Sequence, residues 1–165
     1  MTDLRERYLD RDRTAPFDVA QPAAAALLVR REAFERVGGF DPAFAPAWFE
    51  DVDLSAKLLE SGYRIRFVPA ARASHVGGTT MRALSYDDYL PLYTRNLLLY
   101  LRRHAGPSTR ALAPAVLGAG ALLRLALLPF VRGDHARPEA ARAYLRVLRG
   151  LLGLGFVSAL LPGRG

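Results

Sequence analysis

Cysteine is absent from this chain, and lysine occurs once, as Lys57. No disulfide, zinc–thiolate site or cysteine nucleophile can therefore be built from it. Tryptophan also occurs once, as Trp48, and methionine twice. The opening residues, Met1 to Asp12, are charged and lack an apolar stretch of signal-peptide length, so a cleaved secretory signal is not expected. Internal repeats and long linkers are also missing.

What is present is an apolar, arginine-rich chain of 165 residues. That length suits one domain with a real core. With 51% apolar residues, a wholly disordered chain is not expected. The net charge of +7 comes almost entirely from arginine. Two readings of that excess stay open. One is the codon bias of a GC-rich genome. The other is attraction to polyanions such as phosphates, nucleic acid or anionic lipid.

Composition changes near residue 105, with a break at Gly106-Pro107. We divide the chain into a charged segment at 1–17, a mixed region at 18–104 and an apolar, basic helical region at 105–165. In the mixed region Ala23 to Val29 suits a buried strand. Arg30 to Val37 suits one or two helical turns stopped by Gly38 and Gly39. Phe40 to Ala47, with two prolines, reads as a loop. Glu50 to Ser61 has an apolar side formed by Val52, Leu54, Leu58 and Leu59, with Gly62 placed as a C-cap. Arg64 to Val68 alternates as a strand does, and Ala71 to Val76 suits another. Ser85 and Asp88 have capping-box spacing, opening a helix to Arg103 with a kink or restart at Pro91. The strand–helix–strand order argues for an α/β class.

Two segments can carry chemistry. In Trp48-Phe49-Glu50-Asp51-Val52-Asp53, three carboxylates stand at the start of an expected helix, where free N–H groups and the helix dipole favour anions. An ionised carboxylate there can accept a proton, and the two aromatics can face a sugar ring. Plain N-terminal capping explains the same residues. In Ser74-His75-Val76-Gly77-Gly78 a histidine stands at a strand end beside a glycine loop. It can serve as metal ligand, proton carrier or an ordinary hydrogen-bonded histidine.

Taken in order, Ala24 to Phe34, Val37-Gly38-Gly39-Phe40-Asp41, Phe49 to Leu54, Gly62-Tyr63-Arg64-Ile65, Val68-Pro69 and His75 to Gly78 form a series. This series resembles family-two glycosyltransferases, especially rhamnosyltransferase-like and galactofuranosyltransferase-like members, over residues 18 to 104. The resemblance implies a GT-A, Rossmann-like fold and an inverting, usually metal-dependent transfer from a nucleotide-sugar donor to a glycan or lipid-linked acceptor. It implies that Asp51 is the catalytic base and that Glu50 helps hold the acceptor, with Trp48 and Phe49 beside it. His75 matches the histidine that completes a Mg or Mn site, and Arg82 is placed to meet the diphosphate. Arg95-Asn96 matches a frequent Arg-Asn pair. The physics agrees: a base must be fixed near the acceptor oxygen, and a departing diphosphate needs positive charge.

Other family features are missing from the sequence. The family's nucleotide-binding half, with its Asp-x-Asp metal motif, is not seen; Asp10-Arg11-Asp12 has that spelling but follows no apolar strand. We therefore expect a partial GT-A fold, from a truncated or split enzyme, that lacks its N-terminal nucleotide-binding half and part of its parallel sheet. Such a chain is inactive alone and binds a divalent cation only when that half is supplied, in cis or as a separate polypeptide.

Beyond residue 105, Ala111 to Val131 is apolar apart from Arg124. It is about long enough for a bilayer, which takes roughly 20 residues, although a central arginine costs about 2.5–3.5 kcal/mol on insertion scales. After Pro138, Arg142, Arg146 and Arg149 recur on one helical face, as on an interfacial helix against anionic lipid. A soluble helical hairpin fits the same residues. The expected location is the cytoplasmic face of the inner membrane. A non-catalytic, membrane-associated remnant stays open as a second reading. A nucleic-acid partner is not expected, because the aromatics do not interleave with the basic residues.

Overall fold

The structure is a computed structural model that describes residues 14–75, 84–130 and 137–153. It contains strand β1 (Phe17–Asp18), a 3-10 turn (Ala24–Ala26), helix α1 (Arg31–Arg36), a second 3-10 turn (Pro42–Phe44), helix α2 (Glu50–Glu60), strand β2 (Arg66–Phe67), and helices α3 (Tyr86–His104), α4 (Pro107–Leu127) and α5 (Arg137–Leu151). The chain divides into two compact units. One holds Met1–Phe40 with Asp51–Val76, and the other holds Asp41–Glu50 with Gly77–Gly165. The division passes through the first turn of α2, between Glu50 and Asp51.

In the first unit, Ala33, Leu54, Leu58 and Ile65 form the core, lined by Val19, Leu27, Val29, Phe34, Val37 and Tyr63. Both helices end in the same way. Gly62 at φ +82° lets Tyr63 N–H reach the Leu58 carbonyl at 3.0 Å and Gly62 N–H reach Leu59 at 3.0 Å. Gly38 at φ +78° does the same for α1, where Gly39 N–H meets the Phe34 carbonyl at 2.8 Å. These are Schellman closures, and they need a residue that tolerates positive φ. β1 and β2 pair antiparallel, Phe17 with Phe67 and Asp18 with Arg66. The two rings stack 5.0 Å apart, and Arg64 binds Asp18 at 2.7 Å.

The expected parallel sheet is not found among the described residues; their one sheet is this antiparallel pair. Ala23 to Val29 is not a strand either. Alanine offers little apolar surface and is the best helix former, so Ala24–Ala26 make one exposed 3-10 turn. Leu28 is 98% exposed, while Leu27 and Val29 pack on the core. Residues 71–75 also form no strand. The fold is mostly helical with a small sheet, which is compatible with part of an α/β glycosyltransferase domain.

In the second unit α3, α4 and α5 pack on one another. Gly106 caps α4 and Pro107 opens it, where its missing N–H costs nothing. The inner side of α5 is small or β-branched: Ala140, Ala143, Val147 and Gly150 are buried. Across from it, Leu151 passes close to Gly118 of α4; a Cβ at Gly118 would lie 3.6 Å from its Cδ1. Helix α3 runs through Pro91 as one element. Its first N–H, on Tyr86, is taken by Glu139 Oε1 at 2.8 Å. Ser85 is the N-cap, but its hydroxyl turns to the Asp87 and Asp88 carboxylates at 2.7 and 2.8 Å instead of closing a capping box.

Candidate active site

The three clustered carboxylates have separate fates. Asp51 is half-buried at the start of α2. Its Oδ2 accepts from Ala24 N–H at 3.0 Å and its Oδ1 from Val52 N–H at 2.8 Å, so both oxygens are oriented by backbone donors. The exposed 3-10 turn at Ala24–Ala26 thus positions this acid. Each oxygen retains a lone pair for an incoming hydroxyl. Ser55 Oγ donates back to the Asp51 carbonyl at 2.7 Å.

Asp53 is buried and has a structural task. Its Oδ2 pairs with Lys57 Nζ at 2.8 Å, and Lys57 also donates to the Gly39 carbonyl at 2.7 Å. The one lysine therefore ties α2 to the turn after α1. That turn is tight: a Cβ at Gly39 would come 2.7 Å from the Phe34 ring. Sequence reading missed this pair, although Asp and Lys four apart on a helix face is a usable signal.

Trp48, Phe49 and Glu50 belong to the second unit. Trp48 and Phe49 both adopt left-handed backbone, at φ 70° and 72°. Two bulky residues in that region in succession are strained and persist only where their surroundings hold them. Their rings lie on an aromatic face of α3. Trp48 meets Tyr89 edge-on at 4.9 Å and Tyr93 at 6.5 Å; Phe49 meets Tyr93 at 5.1 Å and Tyr100 at 5.8 Å. The stripe continues through Tyr86, which hydrogen-bonds Tyr144 at 3.4 Å. Burial, then the bond to Tyr144, pushes the Tyr86 phenol up to about 12. Burial first, and Tyr93 second, raises Tyr89. These phenols stay protonated at neutral pH and act as O–H groups.

The Ala43–Trp48 loop is fastened to α3. Asn96, fully buried, points Nδ2 at three carbonyls: Phe44 at 2.8 Å, Ala47 at 2.7 Å and Trp48 at 3.0 Å. Arg95 donates to the Ala43 and Ala45 carbonyls. Arg103 pairs with Asp41 at 2.7 Å and covers the Phe44 ring at 5.0 Å. Among the described residues, Glu50 Oε2, Arg95 Nε and Asn96 Oδ1 are buried without a hydrogen-bond partner.

His75 is exposed, and no group of three or more His, Asp or Glu side chains able to hold a metal occurs among the described residues. One imidazole does not fit a Mg or Mn site, since these hard cations need several oxygen ligands. Arg82 and the Gly77-Gly78 loop lie outside the described residues, as does Asp10-Arg11-Asp12.

On α5, two of the three expected lipid-facing arginines are paired within the protein. Arg142 Nε meets Asp87 at 2.9 Å, and Arg146 Nη1 meets Asp88 at 2.7 Å. Both carboxyls are held below their ordinary value, first by the Ser85 hydroxyl and next by these arginines. Helix α4 is long and apolar enough to cross a membrane and is scarcely buried. Leu112, Val116, Leu122, Leu123 and Leu127 are exposed on it.

Residues 15–81 match the family described as the N-terminal domain of galactosyltransferase. The pre-mycofactocin glycosyltransferase of Mycobacterium tuberculosis is 31% identical over 115 residues, covering 70% of this chain and 23% of that protein. The N-acetylglucosaminyl-diphospho-decaprenol L-rhamnosyltransferase of the same organism is 43% identical over 53 residues, 32% of this chain and 17% of that protein. The chain thus spans less than a quarter of the length of the curated relatives it matches. No solved structure matches it significantly. Over these segments the chain is thus similar to glycosyltransferases, which is consistent with the family resemblance seen in its sequence.

Proposed function

We propose that the chain supplies the acceptor side of an inverting glycosyl transfer, with Asp51 as general base. The observation that carries this is the Asp51 carboxylate, half-exposed and oriented by two backbone N–H donors. Asp51 takes the proton of an acceptor hydroxyl as that oxygen attacks the anomeric carbon. The bond to the diphosphate breaks on the opposite face, and the nucleoside diphosphate leaves with its electron pair. Glu50 holds an acceptor hydroxyl, and Trp48 and Phe49 contact the sugar ring. Arg82 is assigned to the diphosphate. The nucleotide-sugar site itself, and the carboxylates any Mg or Mn ion needs, come from other polypeptide, in cis or in trans; His75 alone does not fit that ion.

The acceptor is a glycan, and a lipid-linked one suits the outer face of α4, which would rest on the cytoplasmic face of the inner membrane. Arg124 donates to its own helix carbonyl at Gly120, at 3.2 Å, which lowers the cost of bringing that helix into lipid. With Arg142 and Arg146 paired to Asp87 and Asp88, apolar contact outweighs attraction to anionic headgroups in this reading.

The test joins the chain to the nucleotide-binding half of a related glycosyltransferase, fused or co-expressed, and follows nucleoside diphosphate release. Release that depends on a glycan acceptor supports the reading. Binding of both substrates without release would make the chain a non-catalytic, membrane-associated remnant.

A further inference from the structure

The Arg95-Asn96 pair has no place in the chemistry just described, yet it makes five hydrogen bonds to a single loop. One amide nitrogen carries two hydrogens, but Asn96 Nδ2 lies within 2.7–3.0 Å of three loop carbonyls. The amide orientation is unambiguous, because an oxygen at that position would face three other oxygens. Arg95 collects the carbonyls of Ala43 and Ala45 from the same loop. The two residues between them engage Ala43, Phe44, Ala45, Ala47 and Trp48.

A loop of this kind does not hold itself. Ala43 to Ala47 has three alanines, at 43, 45 and 47, and a proline, and only Phe44 is buried. Directly after it come Trp48 and Phe49 in left-handed backbone, which bulky residues hold only where the surroundings impose it. The Trp48 carbonyl, the group whose direction that backbone sets, is one of the three that Asn96 holds. Glu50 follows at once and opens α2, with Oε2 buried and unpartnered among the described residues.

We propose that Arg95 and Asn96 are positioning residues for the acceptor-contacting side chains. By drawing five loop carbonyls onto α3, they fix the strained Trp48-Phe49 step, and so set where the indole lies and how Glu50 leaves the loop. This rests on the assignment of Trp48, Phe49 and Glu50 to the acceptor. It accounts for a buried Asn beside a half-buried Arg on a helix whose next five residues are leucine and tyrosine.

Trp48 is the only tryptophan in the chain, so its fluorescence reports the loop directly. In the full chain, Asn96→Asp keeps the shape but sets a carboxylate against three carbonyl oxygens. Trp48 emission should shift to longer wavelength and acrylamide quenching should rise, with helical circular dichroism retained. Arg95→Gln should do the same to a lesser degree. Arg102→Ala, on the exposed side of α3, should leave Trp48 unchanged. A folded Asn96→Asp protein with wild-type emission and quenching would overturn the proposal. Should Asn96→Asp not fold, an unchanged Trp48 signal in Arg95→Gln overturns it equally.

A second readout uses the enzyme completed with a nucleotide-binding half. Asn96→Asp should raise the acceptor KM and lower kcat while leaving the donor KM unchanged; equal effects on donor and acceptor would reduce the pair to general scaffolding. The Trp48 signal needs no transfer activity. If transfer fails altogether while Trp48 responds, the acceptor reading falls and the loop clamp stands.

Discussion

Arg146 Nη1 donates to the carbonyl of Asp87 at 2.7 Å, and Asp87 is the residue four before Pro91. In a regular helix the N–H of residue 91 would satisfy that carbonyl, and proline has none. The arginine therefore replaces the bond that the proline removes, and α3 runs on through Pro91 without a restart. The same nitrogen also reaches Asp88 Oδ1 at 2.7 Å, which anchors the guanidinium.

This relationship makes a coupled prediction. Arg146→Met should destabilise the second unit, with the lost carbonyl bond alone worth about 1 kcal/mol. Pro91→Ala restores an N–H to Asp87, so it should offset part of the Arg146→Met loss. Urea unfolding of the two single variants and the double variant measures the coupling. Strictly additive effects would show that the guanidinium does not stand in for the missing bond.

Acid should loosen α5 from α3. The Asp87 and Asp88 carboxyls are held below their ordinary value by Ser85 and then by Arg142 and Arg146. A depressed carboxyl stabilises the fold above its unfolded value, near about 3.9, and this stabilisation is lost as pH falls through the lower folded value. Thermal melts should therefore weaken below about pH 4, and Asp87→Asn with Asp88→Asn should flatten that acid limb while lowering stability at pH 7. Parallel pH profiles for the two proteins would contradict this.

Lys57→Met should be among the most damaging single changes to the first unit. It takes the Lys57 ammonium away from the buried Asp53 carboxylate, at a cost of about 3 kcal/mol or more. The double change with Asp53→Leu should recover much of that loss, because an apolar pair replaces a broken ion pair. Chemical denaturation of the three proteins decides it; a mild Lys57→Met phenotype would mean that the pair does not hold α2 to the Gly39 turn.

Local punctuation was legible in the sequence, and distant pairing was not. Gly38 and Gly62 mark helix ends because the Schellman closure needs positive φ, a property of the residue itself. Gly106-Pro107 marks the start of α4 for a similar reason. The acid series at residues 50–53 marked the candidate site, but which acid is free for chemistry was decided by Lys57 and by Ala24, 27 residues before Asp51. Asn96 lies about 50 residues from the loop it holds, and Arg142 is 55 residues from Asp87. No local spacing encodes such contacts. Ala23 to Val29 misled because apolar character alone does not separate a strand from a turn covering a core.

The α4 face predicts vesicle binding. The chain should bind liposomes through Leu112, Val116, Leu123 and Leu127, and anionic lipid should strengthen that binding in low salt. Charge on this face, introduced as Val116→Glu together with Leu123→Glu, should abolish vesicle co-sedimentation while helical content persists. Retained binding by that double variant would move the contact elsewhere.

The base assignment is tested most directly by Asp51→Asn in the enzyme completed with a nucleotide-binding half. Asparagine keeps the side-chain size and one acceptor oxygen but cannot take the proton. We predict a fall in kcat of at least about a hundredfold, the lower range for general-base catalysis, with donor and acceptor KM values little changed. Near-normal turnover by Asp51→Asn would contradict the account.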